Sequence, residues 1–255
     1  MRRRSLNRGY QKDFSDRGTA MFDVRGRQRK AHTMVAVLKN YFNGALGDLS
    51  VLNVGGSAGI IDDCLSNYFG SVTGIDIDEK AIDYARERLC KANLAFEVGD
   101  AMNLRYSAET FDVVVSSQVY EHVPDARIMM EEIYRVLKPG GVCYFAAGNR
   151  LMWNEPHYNL PLLSVVPRPI AHLYLRLSGK GNYYYEKHLS YWGLKNLVEE
   201  FVVADYTLPI IKNPKEYAAE YMIKPGAFKM RVAVFIAKHM VWLVPGYIWI
   251  LVKPG

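Results

Sequence analysis

Residues 51–59, Val-Leu-Asn-Val-Gly-Gly-Ser-Ala-Gly, constrain this chain more than any other stretch. An apolar run stops abruptly in a glycine-rich turn, and a helix-like segment follows. That order describes a buried parallel strand feeding a loop where backbone comes close to a ligand. Asp76 closes the next apolar run, Val-Thr-Gly-Ile-Asp, and Asp100 follows Gly99 at the end of the third. A glycine loop and two acids, each after a strand, have the layout of a nucleoside-binding crevice.

Three readings of the loop compete. A dinucleotide fold spaced G-x-G-x-x-G needs glycines at 55, 57 and 60, whereas the chain has Ser57 and Ile60. A hydrolase nucleophile elbow fits Gly55, Ser57 and Gly59 as G-x-S-x-G, but it leaves Asp76 and Asp100 without a role. The third reading uses every feature. Val51–Gly59, Val72–Asp76, Gly99–Ala101 with Phe111–Val115, and Arg135-Val-Leu-Lys-Pro-Gly-Gly141 occur in order. Together they resemble a class I S-adenosylmethionine (SAM) methyltransferase of the methyltransferase type 11 group, over roughly residues 48–148.

The resemblance implies an α/β, Rossmann-like, seven-stranded doubly wound sheet with its last strand antiparallel. It implies SAM as cofactor. Gly55, Gly56 and Gly59 let the main chain approach the methionine end of SAM and open a helix toward it. Asp76 accepts both ribose hydroxyls, with Asp78 as runner-up, although Asp78 also suits a helix start. Asp100 takes the adenine amino group, Ala101 offers its N–H, and Ile77 and Met102 pack the ring. Ser117, after the fourth strand, faces the same crevice. The chain departs from the pattern twice. Asn53 stands where relatives carry an acid, so it can accept a hydrogen bond but not oppose the SAM ammonium with charge. Ser57 replaces a common glycine.

Methyl transfer to an alcohol needs a base as the bond forms. Glu121-His122 follows the fourth strand, where parallel sheets present their crevice. Some quinone methyltransferase relatives add an acid three positions before that Glu to hold a metal. Gln118 stands there, so no metal is expected. Past the fifth strand, Asn149-Arg150, Glu155-Pro156-His157 and Pro167-Arg168 resemble methyltransferases of bacterial and archaeal glycan modification. His157 beside Glu155 suits a base held by an acid. The main expectation is therefore O-methylation of a sugar hydroxyl on a glycan or lipid-linked glycan, with a histidine base. The alternative acceptor is a small aromatic, quinone or lipid. A non-catalytic SAM- or partner-binding module is the third reading, supported by Asn53 alone.

Charge bears on partners. Residues 1–30 hold eight Arg and two Lys against three Asp, a local +7 in a chain of +6, so the remainder is close to neutral. The expectation is a basic N-terminal arm (1–30) and a methyltransferase domain (31–255). Insertions at about 148–188 and 209–245 form a substrate cover. The arm and the apolar stretch Phe228–Leu243 suit peripheral contact with a membrane. Without aromatic–basic interleaving, nucleic acid is not expected. Cys64, Cys90 and Cys143 lack metal-like spacing and read as small core residues of a cytoplasmic protein. The oligomeric state is not encoded in these patterns.

Overall fold

The computed structural model describes residues 12, 14, 15 and 22–255. Most of the expected basic arm lies outside them. From Val24 onward the arm is already helix: α1 spans Val24–Tyr41 and is capped by Asp23, which accepts from the Gly26 N–H.

The sheet is built from β1 (Ser50–Val54), β2 (Ser71–Asp76), β3 (Leu94–Val98), β4 (Phe111–Ser117), β5 (Leu137–Gly148), β8 (Val202–Asp205) and β9 (Gly246–Val252). Its order is β3-β2-β1-β4-β5-β9-β8. Strands β1 to β5 run parallel, and β9 lies antiparallel to both β5 and β8. The Rossmann-like sheet expected from the sequence is therefore present. The connecting helices are α2 (Ile60–Leu65), α3 (Glu79–Arg88) and α4 (Ala126–Val136).

Side chains alternate across the sheet, as the strand period requires. Leu52 and Val54 of β1 enter one apolar layer with Val114, Phe145, Trp249 and α4. Val51 enters the opposite layer with Val113, Tyr144 and the Met34–Leu38 face of α1. Both faces are covered, which is why these strands read as continuous apolar runs.

β8 ends at Asp205, because the Asp205 carboxylate accepts the Thr207 N–H at 2.7 Å and a short helix, Thr207–Lys212, begins there. β5 begins at Leu137, since Leu137 pairs with Phe111 across an irregularity that the Pro-Gly-Gly sequence hides. α3 stops at Arg88, which leaves Cys90 exposed rather than in the core, while Cys64 and Cys143 are buried. The segment 148–188, which the sequence marks only as part of a substrate cover, is partly regular. It holds a small hairpin, β6 (Asn154–Glu155) with β7 (Leu160–Pro161), and a helix, Arg168–Leu177. That helix escaped notice because it is apolar on its exposed face as well as its buried one. A further helix, Phe228–His239, precedes β9. Among the described residues no helix is long and apolar enough to cross a membrane.

Candidate active site

The strand order reverses between β1 and β4, and a crevice opens there beyond the carboxyl ends of the strands. It is a cavity of about 1330 Å³. Single-ligand sites run to ~300–1,000 Å³, so this one has room for a cofactor and a second molecule together.

One half of the cavity is made by strand ends. Asn53, Gly55, Ser57, Asp76, Ile77, Asp100, Ala101 and Ser117 all line it. Gly55 and Gly56 donate their N–H groups to the Ile75 carbonyl at 2.9 and 2.8 Å, which bends the loop over β2. Gly55 has φ +77°, and a Cβ there would lie 2.7 Å from Val119 Cγ2, so glycine is required. Gly59 caps α2 at φ +73°, with Phe96 only 2.6 Å from a built Cβ. It serves packing rather than the cavity wall. Gly56 likewise lies back from the wall, between Asp62 and Gly74.

Asp76 is fixed from two sides. Its Oδ2 accepts the Ser57 N–H at 2.9 Å and its Oδ1 the Asp78 N–H at 3.0 Å. Burial pushes its carboxyl upward, and these donors work against that shift. Asp78 itself is the N-cap of α3 and accepts from Ala81, the helix-start role foreseen as its alternative. Asp100 Oδ1 accepts the Met102 N–H at 2.9 Å. The packing role expected of Met102 is corrected: it is 2% exposed and belongs to the core with Ile75 and Leu104, because the Asp100 turn points it inward.

Two groups near this half were not foreseen. Asp62, on α2, is wholly buried beneath the loop, with the Asn53 amide as its hydrogen-bonding neighbour. Burial raises its pKa to about 7. The Asn53 amide flanks the same glycine and works against that shift. Arg27 and Lys30 of α1 line the cavity, and burial lowers the pKa of both. Read as arm charges, they form part of the wall.

The other half is made by the cover. His122 lines the cavity from the β4 side and His157 from the hairpin side. Their rings meet edge-on, with centroids 4.7 Å apart. His157 Nδ1 lies 2.6 Å from Glu155 Oε1, and His188 Nε2 approaches the same oxygen at 3.3 Å. Glu155 Oε2 accepts the Tyr158 N–H at 3.0 Å. Burial opposes the charged form of Glu155, but the two histidines outweigh it and draw the carboxyl down to about 2. The same contact raises His157 against its own burial. His122 goes the other way: burial first, then His157 and His188, lower it to about 3, so its ring is neutral. Glu155 is fully buried and reaches the cavity only through His157.

Glu186 and His188 complete this cluster, and their burial was not foreseen. Tyr184, Glu186 and His188 are buried while Tyr183, Tyr185 and Lys187 are exposed. That period-two pattern, in what looked like a loose aromatic stretch, was the available signal.

Residues 52–145 match the family described as Methyltransferase domain. The ubiquinone biosynthesis O-methyltransferase of Coxiella burnetii (strain Dugway 5J108-111) is 29% identical over 141 residues, covering 54% of this chain and 60% of that protein. The chain therefore spans about three fifths of the length of the curated relatives it first matches. Among solved structures, the complex of the Haloferax volcanii Trm112 methyltransferase activator with a methyltransferase covers 98% of this chain and 100% of that one, with TM-score 0.59 and 18% identity. The plantazolicin methyltransferase BpumL, solved with SAH and a pentazolic desmethylPZN analog, covers 95% and 89%, with TM-score 0.58 and 18% identity. These two structural likenesses concern the fold.

Proposed function

We propose that the methyltransferase domain matched at residues 52–145 makes this chain a SAM-dependent O-methyltransferase acting on a hydroxyl of a small aromatic or quinone-like acceptor. The observation that carries the reading is one cavity with two unlike ends. Hydrogen-bonding backbone and the fixed carboxylates Asp76 and Asp100 line one end, and His122 and His157 line the other.

SAM lies at the first end. Asp76 accepts the ribose hydroxyls, Asp100 the adenine amino group, and Ile77 packs the ring, with the Ala101 N–H on a ring nitrogen. The Gly55–Ser57 backbone takes the methionine end, with Asn53 and Ser117 beside it. The solved relative BpumL, which holds SAH, supports this cofactor. The acceptor enters between His122 and the cover. Its oxygen attacks the methyl carbon in line, and holding the two together contributes up to ~7–11 kcal/mol to lowering the barrier. His122 receives the hydroxyl proton, while His157, held in place by Glu155, holds the acceptor oxygen. The names of the curated relatives favour this acceptor class over the glycan expected from the sequence. The glycan reading retains only the resemblance at Asn149–Arg168.

We also propose that the cover rests on an anionic membrane surface. In residues 149–188 both acids, Glu155 and Glu186, are buried, while Arg150, Arg168, Arg176, Lys180 and Lys187 are exposed. Ile170, Leu173 and Leu177 form an exposed helical stripe at 53%, 53% and 79%. An exposed apolar stripe on a helix that carries Arg168 and Arg176 and no carboxylate suits an interfacial helix.

Two measurements test the main reading. Calorimetric titration should give one SAM site per chain. Labelled SAM, offered with a panel of hydroxylated aromatics and separately with glycan extracts, should methylate the aromatics. Methylation of glycans alone would sink the acceptor class, and absence of SAM binding would sink the whole reading.

A further inference from the structure

We infer that Glu155 Oε1, His157 Nδ1 and His188 Nε2 form a divalent metal site at the acceptor end, with zinc the ion that best fits these donors. The three donor atoms lie within 4.8 Å of one another. The carboxylate oxygen is 2.6 Å from one imidazole nitrogen and 3.3 Å from the other. Zinc takes imidazole and carboxylate ligands at bonds of ~2.0–2.2 Å, which sets tetrahedral donors about 3.3 Å apart. One pair already has that spacing, and the other needs only a small opening. Tyr158 holds the second Glu155 oxygen, so Oε1 stays turned toward both rings.

A separate observation points to a cation. Glu121 is 1% exposed, and neither of its oxygens has a hydrogen-bond partner among the described residues. One of these oxygens lies within 4.8 Å of a His157 nitrogen. Glu155 and Glu186 are 0% and 1% exposed in the same cluster. Glu121 and Glu155, both withdrawn from water within one cluster, favour a cation between them. A dication there supplies that charge, and the unpartnered Glu121 oxygens then have something to face.

Three protein ligands leave a fourth position, the arrangement of zinc sites that act on a substrate. His157 is on the cavity wall, with its side chain 21% exposed, so ion and acceptor reach the site from the cavity. This inference rests on the proposed methyl transfer and specifies how the acceptor is held. A cation held by Glu155, His157 and His188 would act as a Lewis acid on the acceptor oxygen and weaken its O–H bond. The proton passes to His122, an oxygen lone pair forms the bond to the methyl carbon, and the carbon–sulfur bond breaks with its electrons on sulfur. His122 then returns the proton to solvent. The ligands come from the cover and not from positions 118–122, where Gln118 breaks the pattern discussed above.

The test uses the full chain stripped with a chelator. Zinc is titrated against a chromophoric competitor, and cobalt(II) is added separately to read coordination from its visible absorption. The expected result is a single tight zinc site, a raised Tm on zinc addition, and the intense bands of four-coordinate cobalt. His188→Gln and Glu155→Gln should each weaken zinc by at least about 100-fold, beyond the 10–100-fold typical of outer groups. SAM titration runs in parallel on every form. A stripped chain that binds SAM but takes up no zinc, or gives only the weak spectrum of aqueous cobalt, overturns the metal site alone. Zinc lost in His122→Gln but kept in His188→Gln overturns this choice of ligands. Failure to bind SAM strikes the methyltransferase reading instead.

Discussion

The two ends of the cavity satisfy their polar groups in opposite ways. At the strand ends, carboxylates face backbone: Asp76 receives two N–H groups and Asp100 one. In the cover, ionisable side chains face each other, with Glu155 between His157 and His188 and Glu121 close by. Backbone donors hold a carboxylate whether or not a ligand is bound, which suits a cofactor site used in every turnover. Side chains that answer to one another can exchange a proton or an ion, which suits the reacting end.

The comparison breaks first if the two ends cannot be disabled separately. His122→Gln keeps a hydrogen-bonding side chain but removes the proton acceptor. It is expected to lower kcat by about 10²–10⁴-fold, the usual range for a general base, while SAM affinity by calorimetry stays unchanged. Equal loss in both quantities would mean that His122 belongs to the cofactor end.

Asp76→Ala attacks the other end. It removes the acceptor proposed for two ribose hydroxyls and frees the Ser57 and Asp78 N–H groups. Hydrogen bonds to a charged group contribute about 1.5–3 kcal/mol each, so SAM affinity should fall by at least about 100-fold. Zinc uptake should be untouched. SAM binding at wild-type strength would remove the ribose assignment.

The same division explains what the sequence revealed. β1 ends just before Gly55 and β3 just before Gly99-Asp100, and Gly55, Asp76 and Asp100 stand where the strand ends put them. These positions are local consequences of strand, turn and strand, written in consecutive residues. The cluster joins Glu121, Glu155 and the Glu186–His188 stretch from three segments, so only tertiary packing brings it together. His157 beside Glu155 was legible because the two are neighbours in sequence. His188 was not, being 33 residues further on. Met102 failed for a related reason: an apolar residue after an acid reads the same whether it lines a ring or fills a core. Asp62 gave no warning at all, since an acid in a short helix ordinarily faces water.

Asp62 differs from Asp76 and Asp100, because it is wholly buried and that burial outweighs the Asn53 amide beside it. In the folded protein it keeps its proton up to about pH 7, against an ordinary value of 3.8. Between those values the folded state binds more protons than the unfolded one, so stability falls as pH rises from about 4 to 7 and then levels off. Asp62→Asn should flatten that slope in pH-resolved denaturant melts. At pH 8 it should be more stable than wild type by about 2 kcal/mol, a discounted figure for a buried group. A pH slope identical to wild type would mean that Asp62 is ionised and paired in the folded chain.

The smallest expected effect on stability lies on the outside of the cover. Leu173 and Leu177 are exposed, while Ala171 and Leu175 on the same helix are buried against Leu163 and Tyr184. The exposed pair therefore contributes little to the fold, and Leu173→Ser with Leu177→Ser should shift stability by no more than about 0.5 kcal/mol. SAM affinity should not change. Flotation with vesicles rich in anionic lipid should nevertheless fall, and added salt should weaken it further by screening the exposed cations of residues 149–188. A cover that loses stability but keeps its flotation would mean that the stripe packs within the protein and that the membrane is held elsewhere.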